Sequence, residues 1–245
     1  MANERLRTAL LQRRATVDEL ADACGVDPKT AERWITVSRI PYRRHRYAAA
    51  AFLGVDETYL WPQALDDAQV LDASESELMT VYPHHHAVPK DLWGYFFDAA
   101  ETEIAILVYS GFFIADDPGL LEILAEKASD GVRIRILLGD PDSPQVGVRG
   151  QDEGIDELMA SKIRNVIVMY GPLRRMDGVE VRLHDTVLYN SIYRADDELL
   201  VNSHVYGMPA SMAPVMHLRK VAGGRMVTTY LDSYEKVWSR AQPLD

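Results

Sequence analysis

The run Thr16–Trp34, TVDELADACGVDPKTAERW, constrains this chain more than any other stretch, because two helix starts and one helix stop fall close together within it. Thr16 followed by Glu19 is a capping box, in which hydroxyl and carboxylate each satisfy a backbone donor that the first helical turn leaves free. Gly25 ends that helix, since glycine takes the left-handed conformation without a Cβ penalty. Asp27 as cap and Pro28 at the first helical position then open another helix, expected to reach about Thr36. Upstream, Leu6, Ala9 and Leu10 form the i, i+3, i+4 stripe of a first helix. Downstream, a turn at Pro41 leads to a helix over about Arg43–Leu53, and Gly54–Pro62 closes the segment. Residues 1–62 therefore read as an all-α domain.

The spacing also assigns faces. Ala21 is small enough for two helices to approach, Gly25 makes the turn, and Val26, Ala31 and Trp34 fill the inner side. That leaves Lys29, Thr30, Glu32 and Arg33 outward, with Pro28, Lys29 and Thr30 at the helix start, an arrangement that fits a DNA major groove. Arg39, Arg43, Arg44 and Arg46 surround the next turn and are placed to hold phosphates. Glu32 would repel phosphate, yet a carboxylate accepts a hydrogen bond from cytosine N4. The net charge of −11 argues against a nucleic-acid partner, but its distribution does not: residues 1–46 carry +4 and the remainder −15. The plainer alternative is a helical bundle with a solvated charged face. The segment Arg5–Pro62 resembles the Xre/Cro family of helix-turn-helix regulators. Its closing part, SRIPYRRHRYAAAAFLGVDETYLWP, looks like the version found in actinobacterial regulators. The resemblance implies operator binding as a dimer, with the helix that begins at Asp27 reading the DNA.

The remaining sequence changes character. Residues 63–90 are mixed, an acidic and helical stretch to about Thr80 followed by Tyr82-Pro83-His84-His85-His86, and read as a linker or connecting helix. From 91 to 245, helices at Leu92–Ala100 and Pro118–Ser129 alternate with apolar strands at Ile104–Tyr109, Val132–Leu138, Val166–Tyr170 and Val179–Leu183. A strand pair at about Thr186–Tyr193 and Glu198–Val205 and a helix over Tyr230–Ala241 follow. Alternation of this kind predicts an α/β domain with a parallel or mixed sheet. The stretch VRLHDTVLYNSIYRADDELLVNSHVYG resembles the phospholipase-D-like superfamily, whose strand carries a histidine and, two residues on, a lysine, followed by an aspartate and a Gly-Ser-x-Asn turn. His184 matches the histidine, Thr186 replaces the lysine, Ser191 stands at the aspartate, and Asn202-Ser203-His204-Val205 lies at the turn. Threonine supplies no cation for a transition state, so no catalytic residue and no enzymatic activity are expected. His184 then reads either as a hydrogen-bonded strand histidine or as part of a ligand site with Thr186, Asn190, Asn202 and His204.

The chain as a whole is expected to be α plus α/β, an all-α helix-turn-helix domain before a larger phospholipase-D-like domain. Cys24 is the single cysteine, so it has neither a disulfide partner nor a second thiol for zinc, as in a reducing compartment. No apolar run approaches the roughly 20 residues of a membrane span, and MANERLRTALLQRR lacks the apolar core of a secretory signal. These features point to the cytoplasm. Neighbours on an extended chain point in alternating directions, so His84, His85 and His86 read as a solvated loop rather than metal ligands, and Asp140-Pro141-Asp142 reads as a turn. Neither a metal nor a cofactor is expected. The expected partners are double-stranded DNA, a second copy of the chain in a homodimer, and either a small ligand or a partner protein, with no membrane. The rival readings are a phosphodiesterase or nuclease targeted by its helix-turn-helix, and an antitoxin-like repressor that holds a partner protein.

Overall fold

Five short polar side chains start five helices of this chain in the same way. Asn3, Thr16, Asp27, Asp117 and Ser143 each accept a hydrogen bond from a backbone N–H two or three residues on, satisfying donors that the first turn of a helix leaves unpaired. The computed structural model describes residues 3–64 and 67–244. The chain divides into two units, Met1–Ser76 with Val221–Arg225 and Glu77–Lys220 with Met226–Asp245.

The first unit contains α1 (Glu4–Arg13), α2 (Val17–Cys24), α3 (Pro28–Thr36), α4 (Arg43–Leu53), α5 (Glu57–Leu60) and α6, which runs Asp67–Glu77. The capping box at Thr16 and Glu19 is complete, and Gly25 is left-handed with φ 63°. Leu6, Leu20, Ala21, Ala31, Trp34, Ala49, Leu60 and Trp61 form the core of α1 to α5. Trp34 and Trp61 meet edge to face, their centroids 6.2 Å apart, a favoured geometry for aromatic pairs. Two polar residues tie this core together. Asn3 donates from its backbone to Ile35 O (2.7 Å) and from its side chain to Leu60 O at 2.9 Å. The His45 Nδ1 lies 3.0 Å from Cys24 O, linking α4 to α2.

The second unit is built on an eight-stranded mixed sheet. Its elements are β1 (Leu78–Tyr82), a 3-10 turn at His85–Ala87, α7 (Lys90–Asp98), β2 (Glu103–Leu107), α8 (Phe112–Ala115), α9 (Pro118–Ser129), β3 (Arg133–Gly139), α10 (Pro144–Asp152), α11 (Leu158–Met169), β4 (Val179–His184), β5 (Asn190–Ala195), β6 (Glu198–Ser203), β7 (Val215–Arg219), α12 (Met226–Trp238) and β8 (Gln242–Pro243). The strand order is β1-β7-β6-β5-β2-β3-β4-β8. Pairs β2/β3 and β3/β4 are parallel, and the others are antiparallel. The central strands β2 and β3 are almost wholly buried, which is why they read as continuous apolar runs rather than alternating ones.

Arg135 is the exception inside β3. Its side chain is 5% exposed and bonds Glu103 Oε1 at 2.5 Å and both oxygens of Glu235 on α12, at 2.9 and 2.5 Å. The guanidinium also lies over the rings of Tyr234 and Trp238, 4.9 and 5.0 Å from their centroids. Arg194 on β5 bonds the other oxygen of Glu103, so four charges from three strands and a helix form one network.

Several elements depart from the sequence expectation. Val166–Tyr170 is not a strand but the end of α11. Met159, Ile163, Val166 and Tyr170 are its buried residues, at helical rather than alternate spacing. Residues 63–90, expected to connect, hold α6, the sheet strand β1 and the 3-10 turn. Strand β7 was not expected at all. It joins β1 to β6 and follows no local pattern, so only long-range pairing reveals it.

Candidate functional site

In the first unit the candidate interface is the outward face of α3 and the turn that follows. Ala31, Trp34 and Ile35 are buried, whereas Pro28, Lys29, Glu32 and Arg33 are exposed and Thr30 is half-buried. Arg39, Arg43 and Arg44 are exposed as well. Lys29, Arg33, Arg39 and Arg43 make no ion pair among the described residues. Arg46 is placed differently. Its guanidinium donates to Pro41 O at 3.0 Å and lies 3.9 Å from Glu57, with only 12% of the side chain exposed. It braces the turn before α4 instead of facing outward beside Arg43.

In the second unit the five residues expected around one ligand do not share one site. Strands β4 and β6 are separated by β3, β2 and β5. Asn202 therefore pairs with Ser191 on β5 rather than facing His184. The His184 ring is 2% exposed, with Nε2 3.0 Å from Val108 O and Nδ1 accepting from Thr186 N at 3.3 Å. Donation to the carbonyl fixes the proton on Nε2, and both nitrogens are occupied. Thr186 and Asn190 line a hollow of about 230 Å³ with Ser233, Lys236 and Arg240. Asn202 and His204 line a separate cleft of about 270 Å³.

That cleft gathers several polar side chains. His204 Nδ1 lies 3.1 Å from Leu188 O and Nε2 lies 3.0 Å from Ser191 Oγ. Its ring stacks on Tyr109 at 5.6 Å. Asn202 donates to Ala213 O and Pro214 O, both at 3.1 Å. The opposite wall comes from the histidine run. His85 stacks on Trp93 (5.0 Å) and meets the edge of Phe113 at 4.5 Å, so this segment is not the solvated loop expected from sequence. The aromatic residues of α7 and α8 draw it onto the core. His85, Tyr109, Ser191 and Lys162 all line the cleft. Sequence reasoning did not assemble them because they come from four separate segments. Asp140–Asp142 does form a turn, Asp140 Oδ1 accepting from Asp142 N at 2.9 Å. Among the described residues no group of three or more His, Cys, Asp or Glu side chains is arranged to hold a metal ion.

Burial favours the neutral form of the cleft histidines. Desolvation, with the neighbouring His86, lowers His85 to about 4, and desolvation with the charge of Arg149 lowers His204 to about 4. His184 is lowered too, chiefly by burial. An unfolded histidine titrates near 6.5, so between about 4 and 6.5 the unfolded chain binds more protons than the folded one. Stability from these groups is complete above that window and is lost as pH falls through it. The carboxyls Asp196, Glu198 and Glu235 are lowered as well, here because their charged form is hydrogen-bonded, and the sign is the same at lower pH. Their contribution persists above the ordinary carboxylate range and disappears only in stronger acid. Melting followed from pH 7 to pH 5 is thus expected to show a steady loss of stability in the second unit, flattened in His204→Gln. A flat profile in the parent protein would contradict this account.

No family model matches the chain, and no curated protein matches it. Several solved structures are similar to it. The archaeal chromatin protein TrmBL2, described with a novel mode of DNA binding, has 14% identity and a TM-score of 0.41 over 67% of this chain and 52% of that one. The phospholipase D family member Nuc from Salmonella typhimurium has 16% identity and a TM-score of 0.39, over 63% and 90%. Phosphatidylserine synthase from Haemophilus influenzae has 14% identity and a TM-score of 0.42, over 67% and 39%. The alignments thus span about half of the chromatin protein and less of the synthase. The expectation that this chain is no enzyme is corrected at this point. Two of these three structures are a phospholipase D family member and a synthase, and a threonine at position 186 is no ground for excluding activity. Among the described residues no helix is long and apolar enough to cross a membrane.

Proposed function

We propose that this chain is a transcriptional regulator of the Xre/Cro type. Residues 1–62 form its DNA-binding domain, and α3 is the reading helix of a helix-turn-helix. The observation that carries this reading is the division of α3: Ala31, Trp34 and Ile35 are buried while Lys29 and Arg33 are exposed and make no ion pair among the described residues. Such a helix is held rigidly from behind and presents its amino-terminal side chains to base edges. Arg39, Arg43 and Arg44 supply phosphate contacts beside it. The remainder, phospholipase-D-like in its sequence motif, serves dimerisation and ligand sensing in the cytoplasm, and the protein acts as a homodimer.

Selection of bound sequences from a random duplex pool by the full chain tests this reading. The expected product is an inverted repeat with half-sites about 10 base pairs apart, centre to centre, or a multiple of that. Lys29→Ala or Arg33→Ala should cost about 1–3 kcal/mol on that site and relax the preference at one base position, if the side chain reads a base. Arg43→Ala and Arg44→Ala should weaken all sequences alike and lower the salt slope by about 1 each. Unchanged binding in both Lys29→Ala and Arg33→Ala would remove α3 from the interface, and a pool without enrichment would end the regulator reading.

A further inference from the structure

We propose that the cleft between the His85–Ala87 turn and His204 is the ligand site of the second unit, and that it takes a planar aromatic monoanion bearing a ring N–H or O–H donor. Only the link from this site to DNA rests on the regulator reading above.

The walls select a flat ring. His85, Tyr109, Phe112 and Phe113 line the cleft with Val108 and Met159, and aromatic faces of this kind favour stacked or edge-on partners. A volume of about 270 Å³ lies near the lower end for small-molecule pockets, about 300–1,000 Å³, and suits a one- or two-ring compound.

The floor selects a donor. His204 is neutral, and the carbonyl of Leu188 at 3.1 Å from Nδ1 fixes the proton there. Its Nε2 is therefore a bare acceptor, and the Ser191 hydroxyl 3.0 Å away must donate to it. The Tyr193 hydroxyl also bonds Ser191 Oγ, which leaves that oxygen one lone pair, and no proton, to offer the cleft. His85 lines the same cleft, its Nε2 buried without a hydrogen-bond partner among the described residues, and a buried polar atom of this kind favours a ligand that satisfies it.

The rim selects one negative charge. Lys162 lines the cleft, is exposed and makes no ion pair among the described residues. The one lining carboxylate, Glu153, is bound by Arg149 through Nε (2.7 Å) and a terminal nitrogen at 2.5 Å. With one unpaired cation among the described lining residues, the site matches a carboxylate better than a polyphosphate, which calls for several.

Calorimetric titration of the full chain with indole-3-carboxylate tests the proposal, alongside indole-3-carboxamide, which lacks the charge, and 1-methylindole-3-carboxylate, which lacks the donor. The parent should bind the first most tightly. Lys162→Ala should lower affinity for the carboxylate about tenfold and leave the carboxamide unchanged. Ser191→Ala should weaken indole-3-carboxylate severalfold and leave the N-methyl compound unchanged. A variant that merely loosens the fold would weaken all three alike, and that pattern would overturn the assignment, as would no binding at millimolar concentration. DNA affinity measured with and without indole-3-carboxylate separates the two readings. Binding of the probe by a protein that selects no DNA would leave this site standing and sink the regulator.

Discussion

Arg135→Ala is expected to destabilise the second unit by about 3–5 kcal/mol, the range for removing one partner of a buried ion pair. The guanidinium is bonded to Glu103 and Glu235 and lies over the rings of Tyr234 and Trp238, so truncation removes charge pairing and packing together. Glu103 keeps Arg194, and Glu235 is half-exposed, so neither carboxylate is fully stranded. The main loss is the slab of planar cation that joins β3 to α12. Arg135→Met, which keeps much of the volume, should lose less than Arg135→Ala. Thermal or denaturant unfolding measures both, and a midpoint for Arg135→Ala indistinguishable from the parent would show the network to be energetically idle.

Trp34→Ala should abolish DNA binding without touching the second unit. Trp34 is 2% exposed, at the centre of α1 to α5 against Trp61 and His45. Removing a buried tryptophan costs about 3–5 kcal/mol, as much as a core of this size supplies. The two hydrophobic clusters share no residue. The variant should therefore lose the unfolding transition and trypsin resistance of the first unit while the transition of the second persists. Retention of parental DNA affinity would refute both the stability argument and the role of α3.

The first unit was legible in the sequence because its rules are local. Caps at Thr16 and Asp27 and the stop at Gly25 act within one helical turn, and α2, α3 and α4 lie where those residues put them. The same grammar at Ser143 and Pro144 opens α10 and was missed, since the apolar residues after it are sparse. The cleft was not legible, because its walls meet only after the sheet is assembled. The sequence motif drew attention to His184, whose nitrogens are both taken by backbone groups. Ser191 and His204 are joined by the β5–β6 register, and His85 arrives from a distant segment through Trp93. The misread Val166–Tyr170 shows the limit of short windows, for five apolar residues in a row fit a strand or a helix until Met159 and Ile163 are counted with them.

The position of β1 has a consequence for the chain as it leaves the ribosome. The strand LMTVY pairs only with β7, and Glu77 just before it is fully buried, its carboxylate accepting from the backbone N–H of Met226 and Val227, 149 and 150 residues later. The local helices of the first unit can form early in synthesis, as amino-terminal segments commonly do. β1, by contrast, emerges with its backbone N–H and C=O groups unpaired and has no strand to join until nearly the whole polypeptide has been made. Slow translation or premature termination between β1 and β7 would prolong the exposure of that strand, and nascent chains stalled there should be the most dependent on chaperones.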